Sequence, residues 1–368
     1  MPKRLYLSTR KGLFVLAPGR GGWDIERVAF LGDPVSLALP IPGTDVVYAA
    51  QYLGHFGAKL RRSADAGATW EELPAPAFPP RPEGAPPELL PDGRPWPWVV
   101  EQVWALETGT GPDDLWAGTL AGGLFRSRDA GRSWALVRSL WDHPKRKGWM
   151  GGGAEIPGIH SINVDPRAPR QVVIGVSTGG VWRTTDGGET WGLAAKGMRA
   201  EYMPPELQHD ENSQDVHRIV QCRAHPERFW VQHHNGVFRS DDGCRSWHEV
   251  TNVDPAVFGF AVAVDPNDGD RAWLIPAIKD ESRVPVAGQV VVSRTRDGGK
   301  TWQALRSGLP QRHAYDLVYR HGLDVDESGR ELAFGSTTGS LWVSRDAGDS
   351  FTHVSAHLPP IYAVRFAR

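Results

Sequence analysis

One octapeptide pattern, repeated six times, limits what this chain can fold into. SADAGATW begins at Ser63, SRDAGRSW at Ser127, TTDGGETW at Thr184, SDDGCRSW at Ser240, TRDGGKTW at Thr295 and SRDAGDSF at Ser344. Their aspartates, Asp65, Asp129, Asp186, Asp242, Asp297 and Asp346, lie 64, 57, 56, 55 and 49 residues apart. A repeat of that period marks an array or a propeller, in which each unit buries its apolar face only against its neighbours. It also lets 368 residues form one body, where length alone would suggest two or three domains.

The surrounding residues say what each unit is. Short apolar strands led by a small turn precede the boxes: GGLFRS from Gly122, GGVWRTT from Gly179, NGVFRS from Asn235 and GSLWVS from Gly339. Another apolar piece follows, as in WALVRSL from Trp134. Strand, tight turn, strand is a β-hairpin. In such a turn an aspartate accepts bonds from N–H groups that have no ladder partner, and glycine supplies the positive φ. The closing tryptophan buries a large apolar area between units. The six aspartates are therefore read as structural, not catalytic. Cys244 stands where the other boxes have glycine, which predicts a distorted but intact turn.

Each hairpin should form the outer half of a blade, with a first strand upstream. Aligned first strands are VSLALPIP from Val35, EQVWALET from Glu101, HSINVDP from His160, HRIVQCRA from His217, FAVAVDP from Phe260 and DLVYRHG from Asp316. A seventh, YAVRFAR from Tyr362, ends the sequence with no box after it, while the N-terminal strands RLYLSTRKG and GLFVLAPGRGGW have no first strand before them. Joining these ends in one blade leaves no open sheet edge. The expected fold is all-β: a single seven-bladed β-propeller over 1–368, with blades at 35–74, 100–138, 159–195, 216–250, 258–306 and 314–354, and 361–368 sharing the last with 4–34.

Three inter-blade connections are long, at 75–99, 139–158 and 196–215, and long loops in a compact fold are usually functional or disordered. The second holds Lys145, Arg146, Lys147, Glu155 and the run Gly151–Gly153, whose N–H groups can cradle an anion, without P-loop spacing. The aligned first strands add a sharper signal. Innermost strands line the central channel, so Glu101, His160 and His217 should converge at its mouth, with Asp316 and Tyr362 on the same ring. Turns of neighbouring blades add His55 and His233 or His234. A carboxylate with two imidazoles can bind one divalent ion (Zn, Mn or Fe) or form an acid–base set; the bland alternative is a polar, water-filled channel. No HExxH or CxxC motif is present to choose among them.

The octapeptide resembles the Asp-box, or BNR repeat, S/T-x-D-x-G-x-T/S-W, and the resemblance covers nearly the whole sequence. It implies a propeller of the kind found in sialidases, xyloglucan-active glycoside hydrolases, sortilin-type receptors and photosystem assembly factors. Their activities differ, so the fold alone implies none. Sialidases carry an Arg-Ile-Pro motif near the N-terminus and six blades; here the first strand reads Arg4-Leu5-Tyr6-Leu7-Ser8-Thr9-Arg10 and the count is seven. Xyloglucan enzymes use two propellers, and this sequence is long enough for one. The nearest likeness is to bacterial single-propeller, sialidase-like BNR proteins labelled glycosyl-hydrolase-like.

Composition narrows the partners. Lys+Arg 41 against Asp+Glu 43 gives a net charge of −2, no electrostatic case for nucleic acid or an anionic membrane. Two cysteines make no disulfide framework, and no run of about 20 apolar residues is present. The expected location is the cytoplasm. Two readings remain. One is a hydrolase or lyase acting on a small polar or carbohydrate-like substrate, with Glu101, His160 and His217 as metal ligands or acid and base, and His55, His234, Tyr362, Asp316 and Glu155 binding substrate. The other is a non-catalytic propeller that binds a protein through exposed Trp96, Trp98, Trp141 and Trp149.

Overall fold

The computed structural model describes residues 3–19, 22–81, 83–84, 86–152 and 154–367. It is a β-propeller of seven four-stranded antiparallel sheets. In six of them the strands run in chain order, beginning with the sheet of Val35–Pro40, Val47–Tyr52, Ala58–Ser63 and Glu71–Leu73. The seventh joins the two ends of the sequence: Ile361–Phe366 is its innermost strand, followed by Leu5–Thr9, Gly12–Gly19 and Gly22–Ala29. Leu5 faces Phe366 and Ser8 faces Ala363 across that antiparallel seam.

The core lies between neighbouring sheets. Leu5, Leu7, Leu16 and Trp23 of the closing sheet pack with Leu341, Val343, Val364 and Phe366 in one buried cluster. Tryptophans bolt blade to blade: Trp230 donates from Nε1 to the Gly269 carbonyl and Trp273 to that of Ala347. Trp247, last residue of its octapeptide, does the same to Ala194. Each indole thus combines large apolar burial with a satisfied N–H.

The repeat turns are as the sequence implies. Asp186 Oδ1 accepts from the Thr184 hydroxyl at 2.7 Å and the Thr190 N–H at 3.0 Å; its Oδ2 accepts from the Thr190 hydroxyl at 2.6 Å. The Cys244 turn is not distorted. Cys244 takes φ 64°, and its N–H still donates to Ser240 Oγ at 3.0 Å, as Gly188 does to Thr184. These hydrogen bonds stabilise the ionised carboxylates, and Asp129 is held down at about 2.

One boundary differs from the sequence expectation. Residues 316–322 are irregular and the inner strand of the sixth sheet is Leu323–Val325. The stretch from Asp316 to Val325 contains two apolar alternations, and the second pairs, Leu323 with Phe334 and Val325 with Leu332. Asp316 instead accepts hydroxyl bonds from Ser336, at 2.7 Å, and Thr338. The connection before this strand is therefore long, and so is the one at 277–291.

The lowered pKa of the turn aspartates sets a pH signature. Their contribution is complete above the unfolded carboxylate value of about 4 and is lost as pH falls toward the native values. Asp129→Asn is expected to lower Tm at pH 7 and to lower it by less at pH 3, measured by calorimetry; an equal penalty at both values contradicts this role.

Candidate functional site

A β-bulge near the start of the inner strand recurs around the ring. In five consecutive sheets and the closing one, two inner-strand residues oppose one on the neighbouring strand. The extra residues are Ser36, Trp104, His160, His217, Phe260 or Ala261, and Tyr362. Bulges kink a strand and re-aim a side chain. Here they turn Ser36, Trp104, Phe260 and Tyr362 into a cavity of about 370 Å³ at the channel mouth. A second cavity, of about 320 Å³, adjoins it and is lined by His217. Phe260 and Arg283 line both, so the mouth is one cleft with two lobes.

The second lobe holds a compact polar cluster. Asp215, His217 and His234 each place a possible ligand atom within 4.8 Å of the others, a grouping found at one place among the described residues. His234 Nδ1 lies 3.3 Å from Asp215 Oδ2, and His217 Nε2 lies 3.9 Å from the same oxygen. His217 Nδ1 is 2.7 Å from the Gly259 carbonyl. A carbonyl only accepts, so Nδ1 carries the proton and Nε2 presents a lone pair toward Asp215. The His217 ring is stacked on Phe260 at 4.5 Å, which fixes its plane. Asp215 is 5% exposed, and its Oδ1 has no hydrogen-bond partner.

Burial acts on these groups in opposite ways. It pushes His217 down to about 3, so the ring is neutral. It would raise Asp215, but the His234 hydrogen bond and the charge of Arg320 help outweigh it, and the carboxylate stays ionised. His234 is also penalised by burial, yet its bond to Asp215 raises it above the ordinary histidine value. Tyr202 closes the lobe, its ring 4.8 Å from His234 and its hydroxyl donating to the Ser213 carbonyl at 3.1 Å. Thr178, also in the lining, sits at φ 40°, a strained conformation for a β-branched residue. Gly152 has no room for a side chain: a Cβ there would lie 2.4 Å from Thr178 Oγ1 and 2.8 Å from Asp215 Oδ1.

Of the residues singled out from sequence, His217 and His234 meet in this cluster. His160 is fully buried one blade away, edge-on to Trp104, with Nδ1 2.9 Å from Ser161 Oγ and Nε2 unpartnered. Glu101 is exposed, two residues before its strand begins at Val103, and is not part of the Asp215–His217–His234 group. Trp104 takes the bulge position there. Tyr362 lines the first lobe, its hydroxyl 3.0 Å from that of Tyr52. His233 is buried against Phe238. His55 is exposed in the turn Gly54–Phe56, Glu155 is exposed and paired with Arg94 at 3.2 Å, and Asp316 is tied to Ser336 and Thr338. None of the three lines either lobe.

Other expectations change as well. Of the proposed anion cradle, Gly153 lies outside the described residues, while Gly151 and Gly152 line the second lobe. Arg146 is buried between the rings of Trp96 and Trp141, with guanidinium-to-centroid distances of 4.5 and 3.9 Å. Trp96, Trp141 and Trp149 are buried, and Trp98 is half-buried. Sequence reasoning missed Asp215, Trp104, Arg283, Arg320 and His321 as site residues. One signal was present: Asp215-Val216-His217 puts a carboxylate and an imidazole two residues apart at a strand start.

No family model matches the chain. Over 276 residues it is 26% identical to the oligoxyloglucan-reducing end-specific xyloglucanase of Emericella nidulans, covering 67% of this chain and 31% of that protein. It is 25% identical over 282 residues to a xyloglucanase from a Paenibacillus species, covering 66% of this chain and 25% of that one. The chain thus spans about a quarter to a third of the length of these curated relatives. Among solved structures, a GH74 enzyme from Niastella koreensis superposes with a TM-score of 0.63 at 16% identity, over 95% of this chain and 52% of that one. A putative 6-phosphogluconolactonase from Bacteroides uniformis gives 0.60 at 12% identity, covering 99% of each. YCF48 from Cyanidioschyzon merolae gives 0.55 at 15%, over 93% and 89%. At these identities the structural likenesses show the propeller fold and nothing narrower.

The hydrogen bond to Gly259 specifies one His217 tautomer. Long-range ¹⁵N–¹H correlation is expected to find its proton on Nδ1; a proton on Nε2 contradicts the geometry of the cluster.

Proposed function

We propose that the protein is a metal-assisted hydrolase or lyase acting on a small carbohydrate-like substrate in the two-lobed cleft. The observation that carries this reading is the set Asp215, His217 and His234. A buried, ionised carboxylate faces an imidazole lone pair at 3.9 Å, too far for a hydrogen bond, and its other oxygen has no partner. Such a pair is costly unless something positive sits between its members. One imidazole and one carboxylate, with a second imidazole alongside, match the donor set of Zn, Mn or Fe sites. The Gly259 carbonyl on the far nitrogen of His217 is the kind of outer partner that fixes a ligating histidine.

An ion held there would supply an activated water near neutral pH and polarise a substrate oxygen. The chain's own residues do the rest. Asp215 and His217 fix the point of attack. Phe260 and Tyr202 wall the lobe and exclude bulk water. Trp104, Tyr52 and Tyr362 offer aromatic faces and hydroxyls to a polyhydroxyl body in the adjoining lobe. The xyloglucanase relatives support a carbohydrate substrate and a hydrolytic reaction. The protein-docking alternative keeps its long connections but not its anchors, because three of the four tryptophans it would use are buried.

Untagged protein is expected to carry about one equivalent of metal by elemental analysis. Zinc should raise its Tm, by about 2.7 kcal/mol of added stability at a concentration a hundred times Kd. Asp215→Asn and His217→Ala should lose that shift while Glu101→Gln keeps it. Hydrolysis of an oligosaccharide and sugar-lactone panel should fall at least about a hundredfold in both site variants. No zinc-dependent Tm shift in the unaltered protein would sink the metal reading.

A further inference from the structure

The first lobe differs in charge from its neighbour. Arg283, Arg320 and His321 line it, and no Asp or Glu does among the described residues. Arg320 is 7% exposed, clamped over Trp104 at 5.0 Å and Phe260 at 5.4 Å. Its Nη2 donates to the Gly152 carbonyl at 3.2 Å, and its Nε–H is buried with no partner. No carboxylate lies within ion-pair distance of it among the described residues. His321 is a second orphan. Its Nδ1 is 3.0 Å from Arg218 Nη1, which can only donate, so the imidazole proton sits on Nε2. That Nε2 is buried without a partner. Arg283 stands at the junction of the lobes, held by Asp280 of the second lobe at 3.0 Å.

Buried donors without acceptors are rare in native structures and are satisfied by a water, an ion or a ligand. Arg320 and His321 both line an acid-free cavity, and a guanidinium there selects an anion, because a charged acceptor forms the stronger bond. The cavity, about 370 Å³, is the size of a small-molecule site. We propose that the first lobe binds the anionic group, carboxylate or phosphate, of a polyhydroxylated substrate, with Arg320 as its principal contact. The substrate class is then an acidic sugar or sugar acid. Its anion lies over Arg320, and its reacting carbon lies across Phe260, beside Asp215 and His217. This rests on the reading of the cleft as the active site and adds the substrate's charge.

The test is calorimetric binding of D-glucuronate, D-glucose 6-phosphate and D-glucose to the full-length protein at low and at physiological salt. One of the two anions should bind at least about tenfold more tightly than glucose, and the advantage should shrink as salt rises. Which anion wins identifies the group. Arg320→Gln, with Tm checked, should abolish the advantage, and Arg283→Gln should reduce it. If Arg320→Gln fails to fold, an advantage that survives Arg283→Gln and ignores salt overturns the proposal, as does the absence of any advantage in the unaltered protein. His217→Ala separates the two readings, since it should lose zinc and turnover but keep the anion preference. An anion preference with no zinc binding refutes the metal-assisted reading and leaves the anion lobe standing.

Discussion

Everything in this molecule depends on the pairing of Leu5–Thr9 with Ile361–Phe366. That antiparallel seam turns a row of sheets into a ring and removes the two exposed edges that an open array would present. Only in a closed ring do the starts of seven inner strands face one another around a channel. The seam also buries Leu5, Leu7, Val364 and Phe366, so closure is driven by apolar packing as well as by ladder hydrogen bonds.

The octapeptide repeat made the ring legible in advance, because an aspartate, a small residue at positive φ and a bulky aromatic leave a turn few alternatives. What it could not give was the position of the bulges. A strand pattern of period two reads the same whether or not one residue is extra, and one residue decides which side chain enters the channel. His160, His217 and Tyr362, aligned as leading residues, fall on bulges because each is the second residue of its strand. Glu101 does not, because the ladder starts at Val103 and the bulge falls on Trp104. Asp316 failed for the same reason at larger scale: its sheet pairs the second of two apolar alternations. Asp215, Arg320 and Tyr202 come from connections, where nothing periodic announces a side chain's direction.

Within the mouth, charge is divided between the lobes. The second lobe carries an ionised carboxylate with two imidazoles; the first carries a buried guanidinium whose Nε–H has no acceptor, and an imidazole. Phe260, stacked on His217 and under the Arg320 guanidinium, keeps the two apart. A buried cation and a buried anion placed near each other but not paired leave each polarised toward whatever enters. Such a cleft is unsuited to a purely apolar ligand and suited to one that is itself asymmetric, anionic at one end and reactive at the other.

The most direct test of this account is an anomalous-difference map at the zinc absorption edge, from crystals of the protein loaded with zinc. The account predicts one strong peak about 2.0–2.1 Å from His217 Nε2 and within bonding distance of an Asp215 oxygen. A map with no peak there, or with its peak at His160 and Glu101 instead, would contradict it.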